Sequence, residues 1–463
     1  MKVELPSEFI RRMQLLLGKD LALFENAWNL KFNRGLRINT LKCTRDHLLA
    51  QYPFEFSSSV FCQDGFTVSD DGFHPGTDPL HHAGAYYMQE PSAMSAVTVL
   101  APCKGERVLD LCAAPGGKST QIASALQGTG LLWSNEYVSS RARILKQNLE
   151  RCGVSNSVIS NCPPAVLCSG LPCAFDAVLV DAPCSGEGMF RKEPAALEQW
   201  SLDNIRLCAD RQKEILESAA LSVRPGGRFV YSTCTFAPEE NECNIGEFLL
   251  SHPDFELMDC GVDFGQPAFE GDVLLPFCND TRIASLPLSR CRRIFPYHGG
   301  EGHFIALLQR RQEAANAVCP SYEYPRKDSN RDASEALYTQ CFYHTVDQTR
   351  FVTFGQQVSL LPPDLPSLKG LGVISAGIAF ADVCKNRLEP CHWLFTSSSP
   401  ENCRELLSLS LSDERVNAYL HGETIEVNEQ TGWTAVAVEN ILLGFGKASG
   451  GILKNRYPKG IRI

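Results

Sequence analysis

Apolar positions in the middle of this chain gather into short unbroken runs, and the stretches between them carry helical periodicity. Residues 107–111 (RVLDL) and 131–136 (LLWSNE) read as strands, and 175–180 (FDAVLV) and 228–231 (RFVY) are brief and rich in β-branched and aromatic residues, which predicts strands buried on both faces. Between the last two runs, Ile205, Leu207, Ile215, Leu216, Ala219 and Ala220 recur at helical spacing over 203–223. That pattern stops before Pro225-Gly226-Gly227, where paired glycines predict a turn. A second helical stretch, 119–126, follows the first run. Strand, helix, strand is a parallel crossover unit, and its repetition predicts an α/β fold built on a Rossmann-like parallel sheet.

The flanks are patterned differently. Residues 1–80 open with Phe9, Ile10, Met13, Leu16 and Leu17 on one helical face, broken by Arg11 and Arg12, and continue into strand-like 36–40 and a loop-rich stretch. They form a small α/β region suited to guiding a substrate. The catalytic sheet spans 81–311, its last strands around Arg293-Ile294-Phe295 and 303–308. Residues 312–332 are polar and proline-bearing, like a linker, and within 312–390 they precede strand-like 351–361 and 371–380 of a first C-terminal domain. From 391 to 463 apolar and polar positions alternate at 424–427 and 434–438, which predicts a β-rich module. Several domains agree with 463 residues and 44% hydrophobic content, which exceed one core.

Ligands of open parallel sheets bind beyond the carboxyl ends of the strands. Two cysteines sit at such ends, Cys184 in 181–186 (DAPCSG) and Cys234 in 232–235 (STCT), so both thiols face one crevice. The loop Cys112-Ala113-Ala114-Pro115-Gly116-Gly117-Lys118 joins a strand to a helix, and its small residues let backbone amides approach a ligand. About twenty residues beyond Gly116, Glu136 ends the next strand, where nucleotide-binding sheets hold a ribose hydroxyl pair. The loop lacks the Gly-x-Gly-x-x-Gly pattern, which disfavours a dinucleotide. S-adenosyl-L-methionine needs the ribose carboxylate and no pyrophosphate cradle.

These blocks, with 36–42 (LRINTLK), 87–94 (YMQEPSAM), 232–241 (STCTFAPEEN) and 300–304 (GEGHF), resemble the Nol/Nop/Sun family of RNA cytosine-5 methyltransferases. The tail, 444–447 (GFGK) through 453–460 (LKNRYPKG), is similar to that of its bacterial RsmF-type branch, which modifies 16S ribosomal RNA. The resemblance covers about 36–308 and the last twenty residues, and is thin between 312 and 390. It implies a class I methyltransferase sheet, a PUA-like C-terminal module, S-adenosyl-L-methionine as cofactor and ribosomal RNA or the small subunit as partner. Cytosine C5 is a poor nucleophile, so a thiolate must first add to C6. The resemblance implies Cys234 as that nucleophile and Cys184 as the group that assists product release, directly or through water. Asp181 holds the cytosine through N3 and its exocyclic amine, with Lys118 as a supporting cation. For the cofactor it implies the backbone of 112–118, Glu136 on the ribose, Asp181 near the methionine portion and Asn161 on the adenine. A helix expected to begin at Pro238-Glu239-Glu240-Asn241 lowers the Cys234 pKa by its positive end, while its two glutamates oppose that effect if close.

Most of the twenty cysteines read as ordinary core residues, Cys243 among them as helix packing. None has the two-residue spacing of knuckle-type zinc sites, so no metal is expected. Free thiols in a reducing cytoplasm are expected, and disulfides are not. No signal peptide or membrane-length apolar stretch is read in the chain. Net charge is −10, against an RNA partner at first sight, yet residues 447–463 hold five basic residues and no acidic ones, with Tyr457 among them. Arg290, Arg292 and Arg293 form a second basic cluster. Basic charge beside an aromatic is one way to grip RNA, so the tail is expected to bind the ribosomal substrate. His81, His82 and His303 are given no part in the mechanism. A transfer RNA substrate, and a ribosome-assembly factor that binds without catalysis, stand as alternatives. A DNA methyltransferase is disfavoured because Glu-Asn-Val does not follow a proline-adjacent cysteine, and a monomer is the default state.

Overall fold

The computed structural model describes residues 5–30, 34–53, 55–68, 72–385 and 387–463. Its centre is one mixed sheet. The parallel strands are β1 (Arg107–Asp110), β2 (Leu131–Asn135), β3 (Ser157–Ser160), β4 (Phe175–Asp181) and β5 (Val223–Thr233). Strands β6 (Arg292–Ile294) and β7 (His303–Arg310) join antiparallel, giving the order β6-β7-β5-β4-β1-β2-β3. Chain order reverses beside β1, so the carboxyl ends of β1, β4 and β5 open on one crevice. The mixed sheet and the curled C-terminal sheet bear out the expected fold class.

Burial on both faces explains why these strands are unbroken apolar runs: every residue of β2 and β3 is buried. Helix α1 (Gly117–Leu126) follows β1, and α2 (Leu202–Ser222) crosses from β4 to β5. Ser201 caps α2, its hydroxyl accepting the Asn204 amide at 3.0 Å. Ile205, Ile215, Leu216, Ala219 and Ala220 are buried as their spacing predicts, whereas Leu207 faces solvent. Gly226 and Gly227 are not a turn outside the strand. They lie within β5, where its register against β4 shifts between Phe175 and Ala177, and the φ of 73° at Gly226 suits glycine to that bulge.

The N-terminal helix Ser7–Leu17 buries Phe9, Met13, Leu16 and Leu17. Together with Phe24 and Trp28 they pack on Phe190 and Phe236, which lie in the loops after β4 and β5. Arg12 does not interrupt this face; it is buried and grips Glu239 with bonds of 2.9 and 2.6 Å. An antiparallel sheet follows, with strands at Arg34–Ile38, Ser57–Ser58, Gly65–Val68 and Tyr86–Met88.

Past the central sheet, Val373–Ala376 adds antiparallel to the outer edge of β3. A four-stranded sheet comprises Phe351–Phe354, Gln357–Leu360, Ile378–Cys384 and Arg387–Pro390. The last module is a five-stranded curled sheet of Leu406–Leu409, Ile425–Glu426, Gly432–Val438, Ile441–Ser449 and Ile452–Asn455. Its core is continuous with the N-terminal sheet: Leu36, Ile38 and Tyr86 share one buried cluster with Val436, Leu443 and Leu453.

Three further expectations fail. Cys243 and Cys278 are joined as a disulfide, a pairing across 35 residues that no sequence motif signals. Tyr457 is not an exposed aromatic; it is buried, with its hydroxyl 2.8 Å from His82 Nδ1. Arg293 is no surface cation, because its guanidinium is buried against Glu242 at 2.6 and 2.5 Å. The aromatic that the basic tail flanks is instead the half-buried Trp433, with Lys447 at 5.0 Å and Arg456 at 5.8 Å from its ring.

Candidate active site

The loops that leave β4 and β5 carry the two thiols to the crevice. Cys184 Sγ lies 3.3 Å from Cys234 Sγ, and both residues are partly exposed. The hydrogen bond to Cys234 and then burial push the Cys184 thiol far above its ordinary pKa, so Cys184 keeps its proton, and either sulfur can donate across the contact. The Gly188 amide donates to the Cys234 carbonyl at 2.8 Å, fastening one loop to the other. A Cβ at Gly188 would stand 2.8 Å from that carbonyl oxygen, which leaves room for glycine alone.

Beside the thiols, Asp181 ends β4. Its Oδ2 receives Lys118 Nζ at 2.7 Å, its Oδ1 receives Ser232 Oγ at 2.9 Å, and His303 Nε2 stands 3.7 Å from Oδ1. Burial raises the Asp181 pKa, but Lys118, His303 and the Ser232 bond outweigh it, and the carboxyl is held below its usual range. Burial likewise lowers that of Lys118, and Asp181 more than restores it. The pair is therefore an ammonium and a carboxylate. His303 is 3% exposed with neither ring nitrogen hydrogen-bonded, and burial followed by Lys118 brings its pKa down to about 4, so the ring is neutral.

The glycine loop runs from β1 into α1. The Ala113 amide bonds Asn135 O at 2.8 Å, and Gly116, with φ 114°, turns the chain into the helix. A Cβ on Gly117 would come within 3.3 Å of the Tyr87 ring, so the loop is packed from below by the YMQEP segment. Cys112 is a half-buried thiol pushed well above its ordinary pKa by desolvation and then by neighbouring carboxylates, which suits a backbone role rather than a nucleophile. Glu136 follows β2 directly, with its carboxylate 2.8 Å from the Val138 amide and 3.6 Å from Arg141. Asn161 follows β3, but its side-chain amide donates to the carbonyls of Glu136 and Tyr137, both at 2.7 Å. Thus Asn161 braces the strand tip that carries Glu136.

The expected helix beyond Cys234 begins as a π turn, Glu239–Cys243, before α3 (Asn244–Ser251). Its glutamates have separate partners: Glu239 pairs with Arg12, Glu242 with Arg293, and Glu240 points under the thiol loops.

Over residues 97–309 the chain matches the family described as 16S rRNA methyltransferase RsmB/F. It also matches the N-terminal domain of 16S rRNA methyltransferase RsmF over 5–91, the RsmF rRNA methyltransferase first C-terminal domain over 337–397 and the methyltransferase RsmF PUA domain over 406–463. Ribosomal RNA small subunit methyltransferase F of Vibrio atlanticus is 30% identical over 479 residues, covering 99% of this chain and 97% of that protein. The chain belongs to the RsmB/F family. The Vibrio campbellii protein of the same description is 31% identical over 99% of this chain and 97% of its own length. Among solved structures, a methyltransferase homolog from Pyrococcus horikoshii superposes with a TM-score of 0.58 at 30% identity, over 66% of this chain and 96% of that one. NSun6 from Pyrococcus horikoshii, at 21% identity and a TM-score of 0.56 over 68% of this chain and all of that one, shares the fold.

For this RsmB/F chain, sequence reasoning had placed Cys184, Cys234, Asp181, Lys118 and the loop 112–118 at strand ends, and the fold brings them together. It passed over several polar neighbours. His303 and Ser232 flank Asp181. Asp110 is fully buried under the loop, its Oδ2 taking Ser119 Oγ at 2.6 Å and its Oδ1 unpartnered, and burial raises its pKa to about 7. The one signal for Asp110 was a carboxylate at the end of an otherwise apolar strand.

Proposed function

We propose that the chain is an S-adenosyl-L-methionine-dependent methyltransferase that modifies C5 of a cytosine in 16S ribosomal RNA through a covalent C6 adduct. The observation that carries this reading is the thiol pair, Cys184 and Cys234 in hydrogen-bond contact at 3.3 Å, beside a carboxylate held ionised by Lys118. Full-length similarity to proteins described as ribosomal RNA small subunit methyltransferase F supports the substrate class.

The residues present suit the cofactor: a loop of small residues with Gly116 at φ 114° and Glu136 at the neighbouring strand tip stand at one end of the crevice, with the unpartnered Asp110 Oδ1 buried beneath the loop. S-adenosyl-L-methionine supplies the methyl group from its sulfonium. Loop 112–118 would pack against it, Glu136 would take the ribose hydroxyls, and Asp181 would lie toward its methionine portion.

The Cys234 thiolate adds to C6, and the displaced C5–C6 electron pair makes C5 the nucleophile that takes the methyl group. Asp181 accepts from the exocyclic amine and shares a proton with N3, while Lys118 keeps that carboxylate charged. The C5 proton then passes to a water held by the Cys184 thiol. The C5–H electron pair re-forms the double bond, and the C6–S bond breaks to return the Cys234 thiolate. The target must leave any base stack to be reached, so an exposed loop, an assembly intermediate or an extruded nucleotide is the substrate. The flanking modules supply site selection, with Trp433, Lys447 and Arg456 as an RNA contact.

Transfer of labelled methyl from S-adenosyl-L-methionine to small subunits, naked 16S RNA and transfer RNA tests the proposal. Label at C5 of ribosomal cytosine supports it. Label confined to transfer RNA moves the substrate, and none in any RNA leaves a binding factor.

A further inference from the structure

Directly behind each thiol stands a hydroxyl residue, Ser185 after Cys184 and Thr235 after Cys234, and the two hydroxyls touch at 2.8 Å. Each continues to a carboxyl. Ser185 Oγ is 2.5 Å from Glu240 Oε1, and Thr235 Oγ1 donates to Glu187 Oε2 at 2.9 Å. Four groups are therefore linked by three short oxygen–oxygen contacts, and each contact needs one hydrogen. The two hydroxyls supply two; the third must come from a carboxyl.

The surroundings say which. Glu187 Oε2 also takes the Phe236 amide at 2.8 Å and Glu187 Oε1 takes Trp200 Nε1 at 2.8 Å, while Glu240 Oε2 takes the Ser185 amide at 3.0 Å and Gln212 Nε2 at 2.8 Å. Glu240 Oε1 has only Ser185 Oγ, so the proton belongs there and the bonds run from Glu240 through Ser185 and Thr235 to Glu187. Both carboxyls are buried, and neither has an ion pair among the described residues.

Resting on the proposed use of the thiols, we propose that Glu240, Ser185, Thr235 and Glu187 form a positioning unit with one shared carboxyl proton, which holds Cys184 and Cys234 in reacting register. Loss of that proton turns one of the three contacts into a repulsion between lone pairs, and the thiol loops separate. Burial raises both carboxyls, Glu240 to about 7, so the unit is complete below neutrality and loosens as pH rises through that value. The other titratable groups facing it are Cys184, Cys208 and Tyr231, each raised in part by Glu240, and Arg12, which opposes the rise at Glu187.

The test uses the full-length protein without RNA, so it succeeds or fails independently of the methylation reading. Closure of the Cys184–Cys234 disulfide by diamide is timed by peptide mass mapping from about pH 6 to about pH 8.5 in wild type, Glu240→Gln, Thr235→Val and Thr235→Ser. Glu240→Gln presents an N–H to Ser185 at every pH, so the ratio of wild-type to Glu240→Gln closure rates should fall about tenfold through neutrality. Thr235→Val should slow closure by a similar factor at low pH, and Thr235→Ser should keep it. A flat ratio overturns the shared proton; wild-type closure in Thr235→Val overturns the clamp. The methylation pH profile of Glu240→Gln, losing the same alkaline decline, ties the unit to turnover.

Discussion

Replacing Arg293 by alanine leaves the Glu242 carboxylate stranded. Arg293 is 1% exposed, gives Glu242 two bonds at 2.6 and 2.5 Å, donates to Phe236 O at 2.9 Å and lies 4.8 Å over the Phe269 ring. Glu242 is fully buried, and among the described residues its remaining donor is the Phe269 amide at 3.1 Å. Removing one member of a buried pair costs about 3–5 kcal/mol, because the other charge has neither partner nor water. For a catalytic core of this size that is roughly 6–20 °C in Tm, read by circular dichroism. The double variant Arg293→Ala, Glu242→Ala removes the stranded charge as well and should recover part of the loss. Arg293→Lys keeps the charge without the planar fork and should fall between. Since the pair anchors β6 to the π turn behind Cys234, methyl transfer should fall with it even below the new Tm. A drop of less than about 2 °C for Arg293→Ala, or a double variant worse than the two singles summed, would refute the reasoning.

Cys234→Ala should abolish methyl transfer, whereas Cys184→Ala should leave a protein–RNA adduct visible as a shifted band on denaturing gels; an adduct in Cys234→Ala instead would reverse the roles. Lys118→Met removes the strongest influence holding the Asp181 pKa down. A carboxyl with a lowered folded pKa adds stability above its unfolded pKa and loses it as pH falls, so in Lys118→Met the acid limbs of stability and activity should both move to higher pH, followed by urea titration and initial rates. Lys447→Ala and Arg456→Ala should weaken RNA binding and cut its salt slope by about 0.7 for each phosphate no longer neutralised, and Trp433→Ala should remove about 1–3 kcal/mol per stacked base, both read by fluorescence anisotropy. Deleting 447–463 is the poorer test, because Leu453 and Tyr457 are buried in the C-terminal core and their loss unfolds the module.

The strands were legible because a strand buried on both faces must be a short apolar run, and the crossover helix because one face of it packs on the sheet. Since chemistry in such sheets lies at the carboxyl ends, Cys184, Cys234, Asp181, Lys118 and the glycine loop were legible as well. Tertiary structure alone decided what depends on pairing between distant segments. A cysteine has no local mark of its partner, so the bond from Cys243 to Cys278 was hidden. An arginine has none of its depth, so Arg12 and Arg293 read as surface charges, although their guanidinium groups find carboxylates 227 and 51 residues away. Tyr457 looked like an RNA platform until His82, His392 and Tyr419 closed around its ring. The buried Glu240–Ser185–Thr235–Glu187 chain exists only once the β4 and β5 loops meet, and no local pattern encodes a hydrogen bond between two hydroxyls from different loops.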